Sequence, residues 1–225
     1  MGRRSLPKID PALDLSRHLL TQEHLPAPWN PAAIFGRTAP LEIEVGSGKG
    51  LFLAAAAATE IEKDFLGIEI SDRYARYAAS RLAKRNLDNA RMVAADAQWV
   101  FAKLVPDAVL AAVHVYFPDP WWKARHRRRR VMNESFVRDV ERALLPGGKL
   151  HFWTDVEEYY RSALETLAAA TKLSGPFDVP ERPADHDLDY RTNYERRTRL
   201  HGRPVYRCEF CKAATSGRAR EFAGS

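Results

Sequence analysis

The sequence predicts a doubly wound α/β domain, in which a mostly parallel sheet carries helices on both faces. Short apolar runs alternate with helical runs from residue 41 onward. Strands that are separated by helices pair in parallel through right-handed crossovers. The 225 residues, 45% of them hydrophobic, suffice for a single core of this kind.

The elements follow in order along the chain. Asn133 is placed to cap its helix, and Pro146-Gly147-Gly148 is placed to end it. The predicted strands are LEIEV (41–45), DFLGIEI (64–70), ARMVAAD (90–96), AAVHVYF (111–117), KLHFWTD (149–155) and a last strand near 204–212. The predicted helices begin near Lys49, span Ser71 to Arg85, follow residue 96 as a short turn, and lie near 133–145 and 156–171.

Three segments lie outside this alternating pattern. Residues 1–40 are rich in proline and in basic or polar residues without a period, which predicts an N-terminal arm. Residues 174–203 are polar and contain proline, so we expect a long functional excursion within the main domain, 41–212. Residues 213–225 form a predicted C-terminal tail.

Composition limits the location and the partners of the protein. A formal charge of +6 and a pI of about 9.4 are compatible with a polyanion, although many soluble proteins reach such values without one. There is no apolar run long enough for a membrane span, and the start lacks a signal-peptide core, which predicts a cytoplasmic protein. Cys208 and Cys211 form a lone C-x-x-C, which favours two reduced thiols over a zinc site.

A glycine-rich loop, EVGSGKG (44–50), joins the first strand to its helix. The dinucleotide fingerprint fails because Leu51 stands at its third glycine, and the phosphate-binding Walker motif fails because Gly50 follows Lys49. What remains is G-x-G-x-G preceded by the acid Glu44. An acid there would repel a pyrophosphate and would suit a cationic cofactor such as S-adenosylmethionine.

Further acids stand at the ends of the following strands. Glu69 is placed to accept ribose hydroxyls, Asp96 to accept an exocyclic adenine amine, and Asp119 follows the fourth strand. Each one alone is as well explained by a helix cap or a surface charge, and Asp96 before Ala97 fits an N-cap. Together they predict a ligand site at the carboxyl edge of the sheet.

The loop YFPDPWWKARHRRRRV (116–131) combines an acid between two prolines, two tryptophans and the densest positive charge in the chain. It closely resembles the P-D-P-W-x-K-x-R-H-x-x-R-R signature of the bacterial tRNA (guanine-N7-)-methyltransferases. A second signature of that family, T-x-Y-E, matches Thr192-Asn193-Tyr194-Glu195. The resemblance covers roughly 41–210, with EVGSGKG, FLGIEI and Thr154-Asp155 in the family's order, and departs at Trp122.

The resemblance implies a Rossmann-like methyltransferase sheet of about seven strands with the last one antiparallel. It implies methyl transfer from S-adenosyl-L-methionine to N7 of a guanine in the tRNA variable loop, by a monomer or homodimer with no bound metal. Asp119 takes the catalytic position. The cofactor-binding positions are Glu44, Gly46, Gly48, Gly50, Glu69, Asp96 and Asp119. The substrate-binding positions are Lys123, Asp155, Thr192, Asn193, Tyr194 and Glu195, and the RNA-binding positions are Arg125, His126, Arg127, Arg128, Arg129 and Arg130.

Elementary chemistry agrees with this assignment. Guanine N7 carries a lone pair and no proton, so catalysis needs orientation and electrostatics more than a strong base. A carboxylate, Asp119 or Glu195, suits the N–H edge of guanine. For Trp121, packing is favoured over base stacking. Two alternatives stay open: a methyltransferase of another substrate class, and a non-catalytic RNA-binding module on the same scaffold.

Overall fold

The computed structural model describes residues 6–184 and 190–214, which form one eight-stranded sheet flanked by helices. The strands are β1 (Leu19–Thr21), β2 (Leu41–Val45), β3 (Asp64–Glu69), β4 (Ala90–Ala94), β5 (Leu110–Tyr116), β6 (Leu144–Thr154), β7 (Ser174–Asp178) and β8 (Tyr206–Cys211). The α-helices are α1 (Pro31–Phe35), α2 (Leu51–Thr59), α3 (Asp72–Ala83), α4 (Ala97–Lys103), α5 (Glu134–Ala143), α6 (Glu157–Ala170) and α7 (Asn193–Leu200).

The strand order is β1-β4-β3-β2-β5-β6-β8-β7. The strands from β1 to β6 in this order pair in parallel, and β8 pairs antiparallel with both β6 and β7. The predicted α/β class and the antiparallel last strand are therefore confirmed. From β2 the chain adds β3 and then β4 on one side of the sheet, and it then adds β5 and β6 on the other side. The strand order therefore switches direction between β2 and β5, and ligands of doubly wound sheets bind at such a switch point.

One strand that was not predicted, β1, comes from the segment that was predicted to be an N-terminal arm. Leu19 of β1 pairs with Met92, and Leu25 and Phe35 further along are buried in the core. A three-residue strand offers no measurable alternation, so the sequence carried no signal for it. Residues 19–35 thus pack with the main domain, although the division at residue 40 itself stays a prediction.

Regular structure also lies within the predicted excursion, 174–203. β7 forms the edge of the sheet with every residue exposed, and α7 follows near the end of the segment. Because β7 buries no face, its sequence shows none of the alternation by which strands are recognised. The last strand was expected near 204–212 and spans Tyr206–Cys211.

The boundary between α5 and β6 differs from the prediction. Asn133 caps α5 as expected, since its side chain accepts from the Phe136 amide at 3.1 Å. The helix ends at Ala143, however, and Leu144 already pairs with Leu110. Pro146-Gly147-Gly148 therefore lies inside β6, at an irregularity of the ladder, rather than at the end of the helix.

The sheet separates two groups of buried side chains. Leu41, Ile43 and Val45 of β2 pack with residues of α4, α5 and α6 on one face. On the opposite face, α2 and α3 pack against alternate residues of the same strands. Two acids of β2, Glu42 and Glu44, are buried within this otherwise apolar framework. None of the helices in the described ranges is long and apolar enough to cross a membrane.

Candidate functional site

The carboxyl ends of the central strands lie level with one another. Val45 pairs with both Ile68 and Val115, and Val115 pairs with Phe152. The residues at these strand ends and just beyond them therefore line one edge of the sheet. This edge carries the predicted acids Glu44, Glu69, Asp96, Asp119 and Asp155.

The three glycines of the loop after β2 all have left-handed backbones, with φ of 74° at Gly46, 52° at Gly48 and 64° at Gly50. A Cβ on Gly50 would stand 2.7 Å from the Ala78 Cβ, so this glycine permits close packing of α2 against α3. A Cβ on Gly46 would meet nothing within 4 Å. The loop thus turns tightly and leaves its backbone open to a ligand at Gly46.

Glu69 is held at the end of β3 by the backbone of the glycine loop and of α3. Its Oε2 accepts from the Gly48 amide and its Oε1 accepts from the Ser71 amide, both at 2.9 Å. A carboxylate oxygen has further lone pairs after one such bond. The side chain is therefore oriented in advance and can still accept two hydroxyl donors, as a ribose would offer.

Glu44 is the most unusual group of the site. The residue is only 3% exposed, and its Oε2 has no hydrogen-bond partner among the described residues. Burial, together with the nearby Glu69 charge and against a hydrogen bond from Ser47, raises the pKa of the Glu44 carboxyl to about 8. A buried carboxyl without a partner is unfavourable unless a ligand completes it. A cationic ligand such as an ammonium group fits this requirement.

Asp96 performs the capping role that was weighed against a ligand role. Its Oδ1 accepts from the Gln98 amide at 2.9 Å and so caps α4. The cap occupies one oxygen and orients the carboxylate at the sheet edge. Its contact with an adenine amine stays a prediction.

Asp119 sits on a rigid loop between β5 and the basic segment. Phe117 and Trp121, on either side of Pro118-Asp119-Pro120, have φ of 50° and 46°. Such conformations cost about 1–3 kcal/mol each in bulky residues and persist only where the surroundings enforce them. The Phe117 amide donates to the Trp153 carbonyl at 2.8 Å, which fixes the start of the loop. Asp119 itself is exposed.

Arg130 fixes the other end of the loop. It is only 5% exposed, its Nε donates to the Pro120 carbonyl at 2.8 Å, and its Nη2 lies 2.6 Å from Glu158 Oε2. Its guanidinium also covers the Tyr159 ring at 4.5 Å. These partners occupy the side chain, so the expectation that Arg130 contacts RNA is not supported; it holds the loop in place.

The rest of the basic segment is accessible and forms a short 3-10 helix, Ala124–Arg129. Trp121 is half-buried within the segment, with its ring 5.9 Å from His126 and the Arg129 guanidinium above it at 5.1 Å. Trp122 is 69% exposed. The exposed basic side chains, which we call the basic rim, are Lys123, Arg125, Arg127, Arg128 and Arg129.

The T-x-Y-E residues form the start of α7. Thr192 caps the helix, with its Oγ1 accepting from the Glu195 amide at 3.0 Å. Glu195 is buried: its Oε2 accepts from the Arg191 amide at 2.7 Å, and its Oε1 lies 3.2 Å from Arg207. Its carboxylate is thus engaged inside the protein, which does not support the expectation that Glu195 holds the guanine edge. Asn193 and Tyr194 are exposed.

Tyr194 joins this segment to the Asp119 loop. Its ring is half exposed and stacks on Phe117 with centroids 6.1 Å apart. The structure therefore brings the T-x-Y-E helix against the loop that carries Asp119, although the two motifs are far apart in the sequence. Lys123 lies further along the same loop, and Asp155 follows β6, which pairs with β5.

Sequence reasoning missed a set of polar residues beneath the site. Glu42, His114 and Tyr116 are all buried. His114 is hydrogen-bonded to Glu42 and to Tyr116, and the Tyr116 hydroxyl is also hydrogen-bonded to Arg191. The available signal was the polar pair Glu42 and His114 inside the apolar runs LEIEV and AAVHVYF. Within the described ranges, no group of three or more His, Cys, Asp or Glu side chains is arranged to hold a metal ion.

Comparisons with known proteins agree with this geometry. A family model described as a putative methyltransferase matches residues 38–208. The tRNA (guanine-N(7)-)-methyltransferase of Rhodopirellula baltica is 49% identical over 213 residues, 92% of this chain and 79% of the relative. The protein of that name from Alcanivorax borkumensis is 38% identical over 188 residues, 82% of this chain and 77% of the relative.

A solved structure shows the same fold at low identity. The aminoglycoside resistance methyltransferase NpmB1 superposes with a TM-score of 0.54 and 19% identity, over 80% of this chain and 90% of that chain. The sheet, the glycine loop and the acids at its edge define an S-adenosylmethionine-dependent methyltransferase. Within that class, the chain belongs to the tRNA (guanine-N7-)-methyltransferase family.

Proposed function

We propose that this protein transfers a methyl group from S-adenosylmethionine to N7 of a guanine in the variable loop of tRNA. The observation that carries the proposal is the position of two motifs at one sheet edge. Glu44, a buried carboxyl whose Oε2 has no partner among the described residues, lies in β2 beside the glycine loop, and the exposed Asp119 with its basic rim follows the adjacent strand β5. The family of the chain supports the choice of substrate.

The cofactor end of the site fits a cationic nucleoside. Glu44 is placed to receive an ammonium group, and Glu69, already oriented by two amides, is placed to receive ribose hydroxyls. Asp96 offers a carboxylate for the adenine amine. The open backbone at Gly46 admits the ligand against the loop. When bound, S-adenosylmethionine supplies an electrophilic methyl group on a sulfonium.

The acceptor end needs to orient guanine rather than to deprotonate it. The N7 lone pair forms the new N–C bond, and the S–C bond breaks with its electron pair remaining on sulfur. Positive charge moves onto the guanine ring during this displacement, so a carboxylate beside the ring favours the transition state. Asp119, on a loop held at both ends, is placed to accept from the guanine N–H edge and to provide that charge.

The basic rim is proposed to bind the tRNA backbone. Lys123, Arg125 and Arg127–Arg129 are exposed next to the acceptor end, and phosphate contacts by such residues release condensed counterions. Arg127 also lies 3.5 Å from Glu158, an exposed pair that is weak enough to be exchanged for phosphate. We further propose a cytoplasmic location. We also propose that the protein is a monomer or a homodimer, and light scattering on the purified protein would decide between these two states.

Incubation with methyl-labelled S-adenosylmethionine and bulk tRNA, followed by digestion to nucleosides, tests the proposal. Labelled N7-methylguanosine is the expected product. Label in another nucleoside, in protein or in a small molecule would replace the proposed substrate. An absence of transfer despite tight tRNA binding would favour the non-catalytic RNA-binding alternative.

Asp119→Asn tests the acceptor end directly. The amide keeps the shape of the side chain and removes its charge, so we expect turnover to fall by about tenfold to a hundredfold, since the group is exposed and partly screened. Cofactor affinity, measured in parallel, separates this loss from a binding defect. A folded variant with normal cofactor binding and full turnover would exclude the catalytic role.

Charge reversal in the basic rim tests the RNA contact. Arg127→Glu and Arg128→Glu should each weaken tRNA binding and reduce the slope of log K against log salt by roughly 0.7–0.9 for each phosphate lost. Arg138→Glu is the matched control, because Arg138 is an exposed arginine of α5 outside the rim. Equal effects of all three changes would indicate general electrostatics rather than a defined contact.

A further inference from the structure

A continuous chain of hydrogen bonds, buried at its centre and part-buried at both ends, runs through the sheet beneath the site. Lys63 Nζ lies 2.7 Å from Glu42 Oε1, and Glu42 Oε2 lies 2.7 Å from His114 Nε2. His114 Nδ1 is 2.9 Å from the Tyr116 hydroxyl, which in turn is 3.2 Å from Arg191 Nη1. The chain thus connects the amino-terminal end of β3 to the residue directly before the T-x-Y-E motif.

The chemistry of the groups gives this chain one direction. Arg191 has donors only, so it donates to the Tyr116 oxygen, and the Tyr116 hydroxyl proton is then directed to His114 Nδ1. His114 is therefore protonated on Nε2, where it donates to Glu42. Although burial opposes it, the hydrogen bonds from His114 and Lys63 and the charge of Lys63 lower the pKa of Glu42, and burial lowers the pKa of His114. An ionised Glu42 and a neutral His114 satisfy every link.

The far end of the hydrogen-bond chain, Arg191, contacts both the sheet and α7. The Arg191 guanidinium lies over the rings of Phe52 and Trp153, with distances of 5.7 Å and 5.5 Å to the ring centroids. The Arg191 amide donates to Glu195 inside the α7 motif. The side chain of this residue is therefore bound to the sheet while its backbone is bound to the helix.

We propose that Tyr116, oriented by His114 and Glu42, anchors Arg191 and thereby positions the T-x-Y-E segment for the tRNA substrate. Tyr116 and Arg191 are positioning residues for the proposed reaction, not groups that touch the reacting atoms. The inference rests on the proposed function for its kinetic part. It adds to the family motifs a recognition element that begins inside the sheet.

Tyr116→Phe is the sharpest test, because it removes one hydroxyl and keeps the ring that packs on Phe52 and Trp153. We expect the KM for tRNA to rise about threefold to tenfold, because the part-buried hydrogen bond from Arg191 to the hydroxyl is lost, with the Kd for the cofactor unchanged. Hydrogen–deuterium exchange in the peptide covering 190–200 should be faster than in the wild-type protein.

Tyr160→Phe is the matched control. Tyr160 is a partly buried tyrosine on the opposite face of the sheet, and its hydroxyl donates to the Arg207 carbonyl at 3.3 Å. This variant should leave the KM for tRNA and the exchange of α7 unchanged. A control that raised the KM as much as Tyr116→Phe would attribute the effect to general loss of stability and would overturn the inference.

A double-mutant cycle adds a second test. Arg191→Met keeps an unbranched side chain between the two rings and removes the donor, so it should raise the KM for tRNA, and adding Tyr116→Phe should have little further effect. Additive effects, or a loss confined to cofactor binding, would refute the anchor. Faster exchange with an unchanged KM would reduce it to a structural role. A wild-type protein that does not methylate tRNA would refute the proposed function, and exchange would then decide whether Arg191 is anchored.

Discussion

Replacing Glu44 by glutamine separates the charge of this side chain from its shape. Burial raises the pKa of the ligand-free carboxyl to about 8, from an ordinary value of 4.5. The protein without ligand therefore holds Glu44 mostly protonated at neutral pH. If a cationic cofactor group completes the carboxylate, binding must release that proton, and Glu44→Gln must abolish the release.

The raised pKa of Glu44 determines how strongly cofactor binding should depend on pH. Linkage predicts that cofactor affinity rises about 25-fold between pH 6.5 and 8.5, and that binding at pH 7 releases about 0.9 proton. The folding stability of the ligand-free protein changes with pH in the opposite direction to the cofactor affinity. Because the folded pKa is raised, the stabilisation is complete below the unfolded pKa and is lost as pH rises toward 8, by about 2 kcal/mol between pH 6 and pH 8.

Isothermal titration calorimetry in buffers of different ionisation enthalpy measures both the affinity and the number of protons released. The ligand is S-adenosylhomocysteine, which retains the ammonium group. The ligand's own amine titrates in the same range, so the ratio of wild-type to Glu44→Gln affinity isolates the glutamate. We expect the variant to bind about tenfold to a hundredfold more weakly at pH 8.5. A ratio that is independent of pH, with no proton release by the wild-type protein, would refute the assignment.

Two further changes test the framework around the site. Gly50→Ala should destabilise the fold by about 1–3 kcal/mol in a denaturant titration, because φ is 64° and the new Cβ would stand 2.7 Å from the Ala78 Cβ; an unchanged midpoint would contradict this packing. Arg130→Met should cost about 2 kcal/mol by leaving the Pro120 carbonyl without its donor and the half-exposed Glu158 with only the longer Arg127 contact, whereas the exposed Arg129→Met should cost much less. Equal losses would contradict the distinction between the two arginines.

The parts of the fold that were predictable are those in which burial and local pattern coincide. β2 to β5 are short apolar runs whose ends carry acids, and parallel pairing places such ends at one edge. β1 and β7 were missed because one has three residues and the other is fully exposed. Neither has a buried face long enough to leave a period in the sequence.

The sequence could not show which motif residues have partners inside the protein. Arg130 is the last of four consecutive arginines, which the sequence does not distinguish. Only Arg130 among them is buried and bound to both Pro120 and Glu158. Glu195 belongs to a substrate-binding signature, yet its carboxylate is bound by Arg207 and the Arg191 amide. A motif records which residues occur together, and only the three-dimensional contacts show which of them still have hydrogen-bonding capacity for a ligand.

Glu42 and Glu44 show the same distinction within one strand. Both are buried on the same face of β2, two residues apart, and the sequence treats them alike. Glu42 has Lys63 and His114 as partners and a pKa lowered to about 2, whereas Glu44 keeps an oxygen without a partner and a pKa raised to about 8. The charge of Glu42 is matched from within the chain, so it stabilises the platform that holds Arg191. Among the residues that the structure describes, no cation is paired with Glu44, and this difference between the two acids supports the proposal that Glu44 receives a cationic ligand.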